Sequence, residues 1–148
     1  IEFLRTCFGN IDIRHHLCRL FTDEKNQILS TKNLVDRYFS ELNRVQEKFK
    51  IKSIEVVSAI PIEDESRKLP RTGYFKNKPF WGRWKERDAV HRVFNDRCLE
   101  LCQKFNYNLI EWPKYFYEDT GKLDFQYMER PRSVHISPEH YLWSITNE

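Results

Sequence analysis

Polar and ionisable side chains crowd one short stretch near the start of this chain. Directly after an apolar run come Gly9, Asn10, Asp12, Arg14, His15 and His16. Carboxylate, guanidinium and imidazole groups placed together suit proton transfer or the binding of a charged substrate. Open α/β sheets place such groups beyond the carboxyl ends of their strands. The stretch therefore predicts a functional site at the end of a first strand.

The segments that must position this site alternate between strand and helix patterns. Apolar runs indicate strands over 1–8, 51–60 and 107–112, and apolar residues at three- and four-residue spacing indicate helices over 31–50 and 86–105. Ser30 or Thr31 is the expected N-cap of the first helix. A terminal helix is expected from about residue 141. This order predicts an α/β fold with a parallel sheet and right-handed crossovers.

Composition fits one globular domain over residues 1–148. Hydrophobic residues make up 40% of the chain and aromatic residues 15%, and the formal charge is +3. These values argue against disorder and allow one real core. The chain lacks the run of about 18 apolar residues that a membrane span needs, and it does not start with the basic residues of a signal peptide.

The four cysteines predict neither a disulfide nor a metal centre. Cys98 and Cys102 share a face of the predicted second helix, but this spacing suits a disulfide poorly. Four-cysteine zinc sites normally use two close pairs, whereas Cys7 and Cys18 are eleven positions apart. We therefore expect packed, reduced thiols, no metal, no cofactor, and an intracellular, reducing (cytoplasmic) location.

The long connection over 61–87 is a second candidate region. From 67 to 87 it holds eight basic residues and one acidic residue, with five aromatic residues among them. Loops of this length are usually functional or mobile, so we interpret this one as a lid over the site. Arg83, Trp84 and Arg87 are the expected ligand contacts, because guanidinium groups pair with anions and aromatic rings stack on sugars. A solvated lid whose aromatic side chains pack on the domain is the alternative.

Five blocks of the chain, taken in order, resemble the SGNH/GDSL hydrolase family. Phe8–Asp12 is similar to the family's third block, 56–61 to its next strand with a proline exit, 86–95 to its next helix, 120–123 to a late turn, and 133–140 to the block with the catalytic histidine. The resemblance covers nearly the whole chain. It implies a three-layer, flavodoxin-like α/β fold with flanking helices around a parallel sheet.

The resemblance implies acyl-ester hydrolysis or acyl transfer on a carbohydrate or lipid ester. In such enzymes a serine attacks the carbonyl, a histidine takes its proton, and preorganised donors stabilise the oxyanion. Carried over to this chain, His135 is the base and Gly9 and Asn10 lie at the oxyanion position. Asp12 and Arg14 organise the floor of the site. His15 is a further candidate for substrate contact.

The chain departs from the family pattern at three points. Arg132 stands where the family has the aspartate that orients the histidine, and Ile11 replaces the oxyanion asparagine, with Asn10 one position away. No Gly-Asp-Ser block is present, because the chain starts after its expected place. The chain then corresponds to the carboxyl-terminal two-thirds of the fold, without its first strands. Catalysis would need a serine from an upstream segment or a partner chain.

Two other functions stay open. A non-catalytic binding or structural subunit with a degenerate SGNH fold agrees with the three departures. RNA or polyanion binding through residues 67–87 is a weaker alternative, because the total charge is mild and no nucleic-acid-binding module is recognisable. The expected partner is therefore an acyl-ester or sugar substrate rather than a nucleic acid.

Overall fold

The computed structural model describes residues 1–69, 71–74, 76–78, 80–130 and 132–140. The strands are β1 (Phe3–Cys7), β2 (Ser53–Val57) and β3 (Asn108–Ile110), and the helices are α1 (Leu17–Leu20), α2 (Glu24–Phe49) and α3 (Trp84–Phe105). A π-helical turn (Asp12–His16) leads into α1, and 3-10 turns cover Lys114–Phe116 and Phe125–Tyr127. None of the described helices is both long and apolar enough to cross a membrane. The terminal helix expected from about residue 141 lies outside the described residues.

The three strands form one parallel sheet in the order β1, β2, β3. Phe3 pairs with Ser53 and Cys7 with Val57 in the first ladder, and Val56 pairs with Leu109 in the second. Parallel neighbours need a long crossover, which α2 and α3 provide. The predicted α/β class and parallel sheet are confirmed. Three layers and the topology of a particular family stay predictions.

One face of the sheet shares a hydrophobic core with α2 and α3. Ile54 and Val56, two positions apart on β2, are 1% and 0% exposed, and they join the same apolar cluster as Phe39 of α2 and Phe94 of α3. Side chains alternate between the two faces of a strand. The opposite face accordingly carries a cross-strand ion pair between Arg5 and Glu55. Each large apolar side chain buried here stabilises the fold by about 1.5–3 kcal/mol.

Helix α2 begins seven residues earlier than the sequence predicted. The expected N-cap at Ser30 or Thr31 is wrong, because the Asp23 carboxylate caps the helix by accepting the Asn26 N–H at 2.9 Å. Thr31 is instead fully buried inside the helix. The helix ends at the predicted place, where Lys50 takes a left-handed φ of 52°.

A second, smaller apolar cluster anchors the turn-rich last third. Its buried members are Ile60, Phe116, Leu123, Met128, Val134 and Ile136. An antiparallel bridge joins Met128 to Ile136, and the Glu129 N–H donates to the His135 carbonyl at 2.8 Å. The two sides of this region, at residues 128–129 and 135–136, are thus held together next to the apolar cluster.

Candidate functional site

A buried, irregular segment leads from the end of β2 to the candidate site. Residues 58–63 are all buried although no strand includes them, and buried backbone groups need hydrogen-bond partners. Asn95 and Asn10 accept from the Ala59 and Ile60 N–H groups at 2.9 and 3.0 Å, and Trp112 and Trp84 donate to the Ser58 and Ile62 carbonyls at 2.8 and 3.1 Å. These side chains fix the path of the segment and therefore the position of Glu63 at its end.

Glu63 lies inside a cluster of three arginines. Its wholly buried carboxylate is 3.0 Å from Arg14 Nε, 3.1 Å from Arg67 Nη1 and 4.0 Å from Arg87 Nη1. Glu65 contributes a second carboxylate, 3.7 Å from Arg87 Nη2. Three positive groups then face two negative ones. This arrangement leaves excess positive charge beside the ends of β1 and β2. Burial of a charge is costly unless it is paired, so the excess favours a negatively charged partner.

The π-helical turn after β1 directs Arg14 and His15 into the protein. Both are 9% exposed, and such turns occur frequently at functional sites. The pKa of His15 is lowered from 6.5 to about 4, mainly by burial, with the charges of Arg14 and Arg67 acting in the same direction and that of Glu63 against them. The His15 imidazole is therefore neutral at pH 7. The chain is already helical at these residues, which lie beyond the end of β1.

Gly9 and Asn10 make packing and backbone contacts. Gly9 has a φ of +89°, and a Cβ there would lie 2.2 Å from Phe94 Cζ, so only glycine fits. The Asn10 side chain spans from the end of β1 to the Ile60 N–H beyond β2. These contacts explain why both residues suit the fold. Their role at an oxyanion stays a prediction.

The two predicted catalytic groups, Asp12 and His135, have separate surroundings. Asp12 Oδ1 is 3.1 Å from His16 Nδ1, one turn along the same helix. His135 is exposed in the wall of a cleft formed by other segments. Within the described residues, no hydrogen bond or ion pair joins Asp12 to His135. The catalytic role predicted for Asp12 therefore has no direct contact with His135 to act through.

Arg83, Trp84 and Arg87 do not share one open surface. The Arg87 side chain is 0% exposed, and its Nη1 donates to the Glu63 carbonyl at 2.8 Å. It is not accessible for the direct ligand contact that the sequence predicted. Trp84 is half-buried and opens α3, whereas Arg83 is exposed. In the connection expected as a lid over 61–87, the first residues are buried and the last are helical. A lid role for the residues between them stays a prediction.

A cleft of about 440 Å³ lies beside the arginine cluster; we call it the basic cleft. It is lined by Arg67, Lys68, Leu69, Arg71, Thr72, Glu129, Arg130, Arg132, Ser133 and His135. Five cationic side chains thus face one carboxylate. The volume is within the range of small-molecule sites, about 300–1,000 Å³. Since Arg67 belongs to both, the basic cleft and the buried cluster form one continuous site.

Sequence reasoning missed the central carboxylate of this site. Glu63 follows the apolar run that begins at Ile54, and an acidic residue placed just after a buried strand was the available signal. Arg67 was noted only as part of a basic loop, and Arg132 only as a departure from a family pattern. Their convergence depends on tertiary contacts between segments more than sixty residues apart.

No protein-family model, curated protein or solved structure matches this chain. Its function is therefore argued from the geometry of the site.

Proposed function

We propose that this chain is an SGNH-like domain that acts in acyl-ester hydrolysis or acyl transfer, with His135 as the general base. The observation that carries the proposal is the exposed His135 in the wall of the basic cleft. Through Arg67 and Glu63 the cleft adjoins the segments that follow β1 and β2. Parallel α/β folds bind their ligands beyond the carboxyl ends of the strands.

In the proposed reaction, a serine hydroxyl attacks the ester carbonyl while His135 takes its proton. The acyl–oxygen bond then breaks, and the imidazolium returns the proton to the departing alkoxide. Water or an acceptor alcohol next attacks the acyl-enzyme by the same steps. The serine comes from outside residues 1–148 or from a partner chain. The nearby arginines stabilise the negative charge on the carbonyl oxygen.

The open edge of β1 supports a contribution from another segment. Within the described residues β1 pairs only with β2, and Phe3 and Cys7 at its two ends are exposed. Parallel sheets are normally covered, and an unpaired strand edge offers hydrogen-bonding groups to a further strand. A strand that pairs there parallel to β1 would bring its own carboxyl end to the side of the sheet that holds the site.

A non-catalytic, ligand-binding subunit with the same fold is the second candidate. Arg132 favours it, because it lines the basic cleft with His135. Arg132 also stands where the family pattern has an aspartate, and an arginine cannot accept the imidazole N–H of a catalytic histidine. The surroundings of Asp12 favour it as well, since its carboxylate contacts His16 at 3.1 Å and, within the described residues, makes no hydrogen bond to His135.

A fluorophosphonate probe and an ester-turnover assay on the full native protein test the proposal. We expect serine labelling and turnover of p-nitrophenyl acetate, and His135→Ala should lower turnover at least about 1,000-fold. His140→Gln, which removes an imidazole outside the cleft lining, is the matched control and should keep activity. Complete silence of the unmodified protein would overturn the acyl-transfer proposal in favour of the non-catalytic subunit.

A further inference from the structure

The basic cleft holds positive charge that the protein's own carboxylates do not neutralise. Arg67 pairs with Glu63 at 3.1 Å, and Arg130 lies 3.8 Å from Glu129. In the part of the chain that the structure describes, no acidic side chain forms an ion pair with the other three cationic groups of the lining, Lys68, Arg71 and Arg132. Like charges gathered in a concave site create a field that concentrates anions.

The buried cluster behind the cleft adds to this field and fixes one of its walls. The Arg67 side chain is only 14% exposed and is held by the wholly buried Glu63. Burial lowers the pKa of Arg67, and the charges of Arg14 and Arg87 act in the same direction against the opposing effect of Glu63. An anion in the cleft would offset the cost of keeping Arg67 charged beside Arg14 and Arg87. The electrostatics of the site therefore favour a negatively charged ligand.

The opposite wall is formed by Glu129, Arg130, Arg132, Ser133 and His135. The Lys68 N–H donates to the Arg132 carbonyl at 3.1 Å, which joins the two walls. Ser133 Oγ accepts the His135 N–H at 3.1 Å. A hydroxyl that accepts in this way retains its own hydrogen for donation. The cleft therefore presents exposed cationic side chains and a hydroxyl donor to the same volume.

Arg132 occupies a backbone conformation that favours glycine. Its φ is 58°, and a side chain is strained in this left-handed region. Residues held in this way cluster at ligand sites, where the surrounding structure maintains them. The conformation places a long cationic residue at the rim of a cavity, although glycine would suit the backbone better.

From these features we propose that the basic cleft binds the dianionic phosphate group of a phosphate monoester. Lys68, Arg71 and Arg132 provide the charge, and Ser133 provides a hydroxyl donor. Phosphate carries up to two negative charges on three acceptor oxygens and so satisfies several cations, whereas a carboxylate carries one charge. The assignment rests on the proposed function, since it names the substrate class of the same site. A cleft volume of about 440 Å³ suits one small group rather than an extended nucleic-acid strand.

Calorimetric titration at fixed ionic strength tests the assignment, with inorganic phosphate, a hexose monophosphate and acetate as separate ligands. Arg132→Gly removes the charge and also relieves the backbone. We expect it to weaken phosphate binding at least about tenfold, since it removes a charged hydrogen bond, while the melting temperature stays the same or rises. If Arg132 had only a structural role, its replacement would not weaken phosphate binding while leaving the melting temperature unchanged or higher.

Lys50→Gly is the matched control. Lys50 is exposed, has a φ of 52°, and ends α2 on the amino side of the sheet, away from the cleft. The Lys50→Gly variant loses one positive charge and the same kind of backbone strain as Arg132→Gly, but its affinity for phosphate should stay unchanged. Equal losses in both variants, or no loss in Arg132→Gly, would overturn the site. Tighter binding of the hexose monophosphate than of inorganic phosphate supports a sugar-bearing ligand, and equal binding supports phosphate alone.

Two further outcomes would contradict the assignment. Acetate binding as tightly as phosphate would mean that any anion suffices. A single-stranded oligonucleotide that binds far more tightly, with a steep salt dependence, would make the surface a polyanion site.

The failure of the phosphate site can be told apart from the failure of the acyl chemistry. Phosphate binding without ester turnover would keep the phosphate site and overturn the acyl chemistry. Ester turnover without phosphate binding would keep the acyl chemistry and overturn the phosphate site.

Discussion

The two ends of the sheet differ in how they hold charge. At the amino end, Lys52 and Glu2 form an ion pair with side chains that are 73% and 85% exposed. At the carboxyl end, the Glu63 carboxylate is wholly buried among arginines. Water and salt screen an exposed pair, so it adds little stability, whereas a buried charge depends on each of its partners. The contrast shows that the carboxyl end is where the fold buries charge, which is the end where we propose that a ligand binds.

The largest effect should come from removing the central carboxylate. Glu63→Gln keeps the shape of the side chain but leaves three buried or half-buried guanidinium groups without their shared negative partner. Loss of one partner from a buried ion pair typically costs about 3–5 kcal/mol, and we expect a decrease of this size in the free energy of unfolding. Urea denaturation monitored by circular dichroism measures it.

Glu2→Gln is the corresponding change at the amino end. The exposed pair with Lys52 should contribute less than about 1 kcal/mol, so this variant should unfold almost like the unmodified protein. If the two variants lose similar amounts of stability, the contrast between the two ends of the sheet is wrong.

A smaller effect is expected from His15, and it depends on pH. Its pKa falls from 6.5 in the unfolded chain to about 4 in the folded protein, mainly through burial, with Arg14 and Arg67 acting in the same direction and Glu63 against them. Between these pH values the unfolded state binds the proton and the native state does not. Stability therefore decreases as pH falls through this window, by at most about 3 kcal/mol.

His15→Gln should flatten that part of the stability curve, because glutamine does not titrate. Denaturation midpoints collected from neutral pH down to the acidic limit of folding, for both proteins, provide the measurement. Parallel curves would show that His15 is not the group whose protonation opposes folding at the carboxyl end of the sheet.

Much of the fold follows from local patterns in the sequence. The alternation of Ile54 and Val56 and the helical spacing of residues such as Phe39 and Phe94 mark the surfaces that form the core. The start of α2 was misplaced, because Asp23 is a stronger cap than the apolar pattern alone reveals.

The site was less predictable because its contacts are tertiary. Arg14 and Glu63 are far apart in the chain, and they meet only when a π-helical turn and an irregular buried segment bring them together. Neither element has a periodic signature. His135 and Arg67 line the same cleft. Their segments are linked by the backbone hydrogen bond from Lys68 to Arg132, which no local spacing rule specifies.

The most direct test of the central claim is a phosphate titration of the isotope-labelled protein followed by amide NMR. We predict saturable shifts for the amides of Lys68, Arg132 and Ser133 in the basic cleft, and no shifts at Lys50 or Lys52 at the amino end of the sheet. Equal shifts at both ends, or none in the cleft, would contradict a phosphate site at the carboxyl end of the sheet.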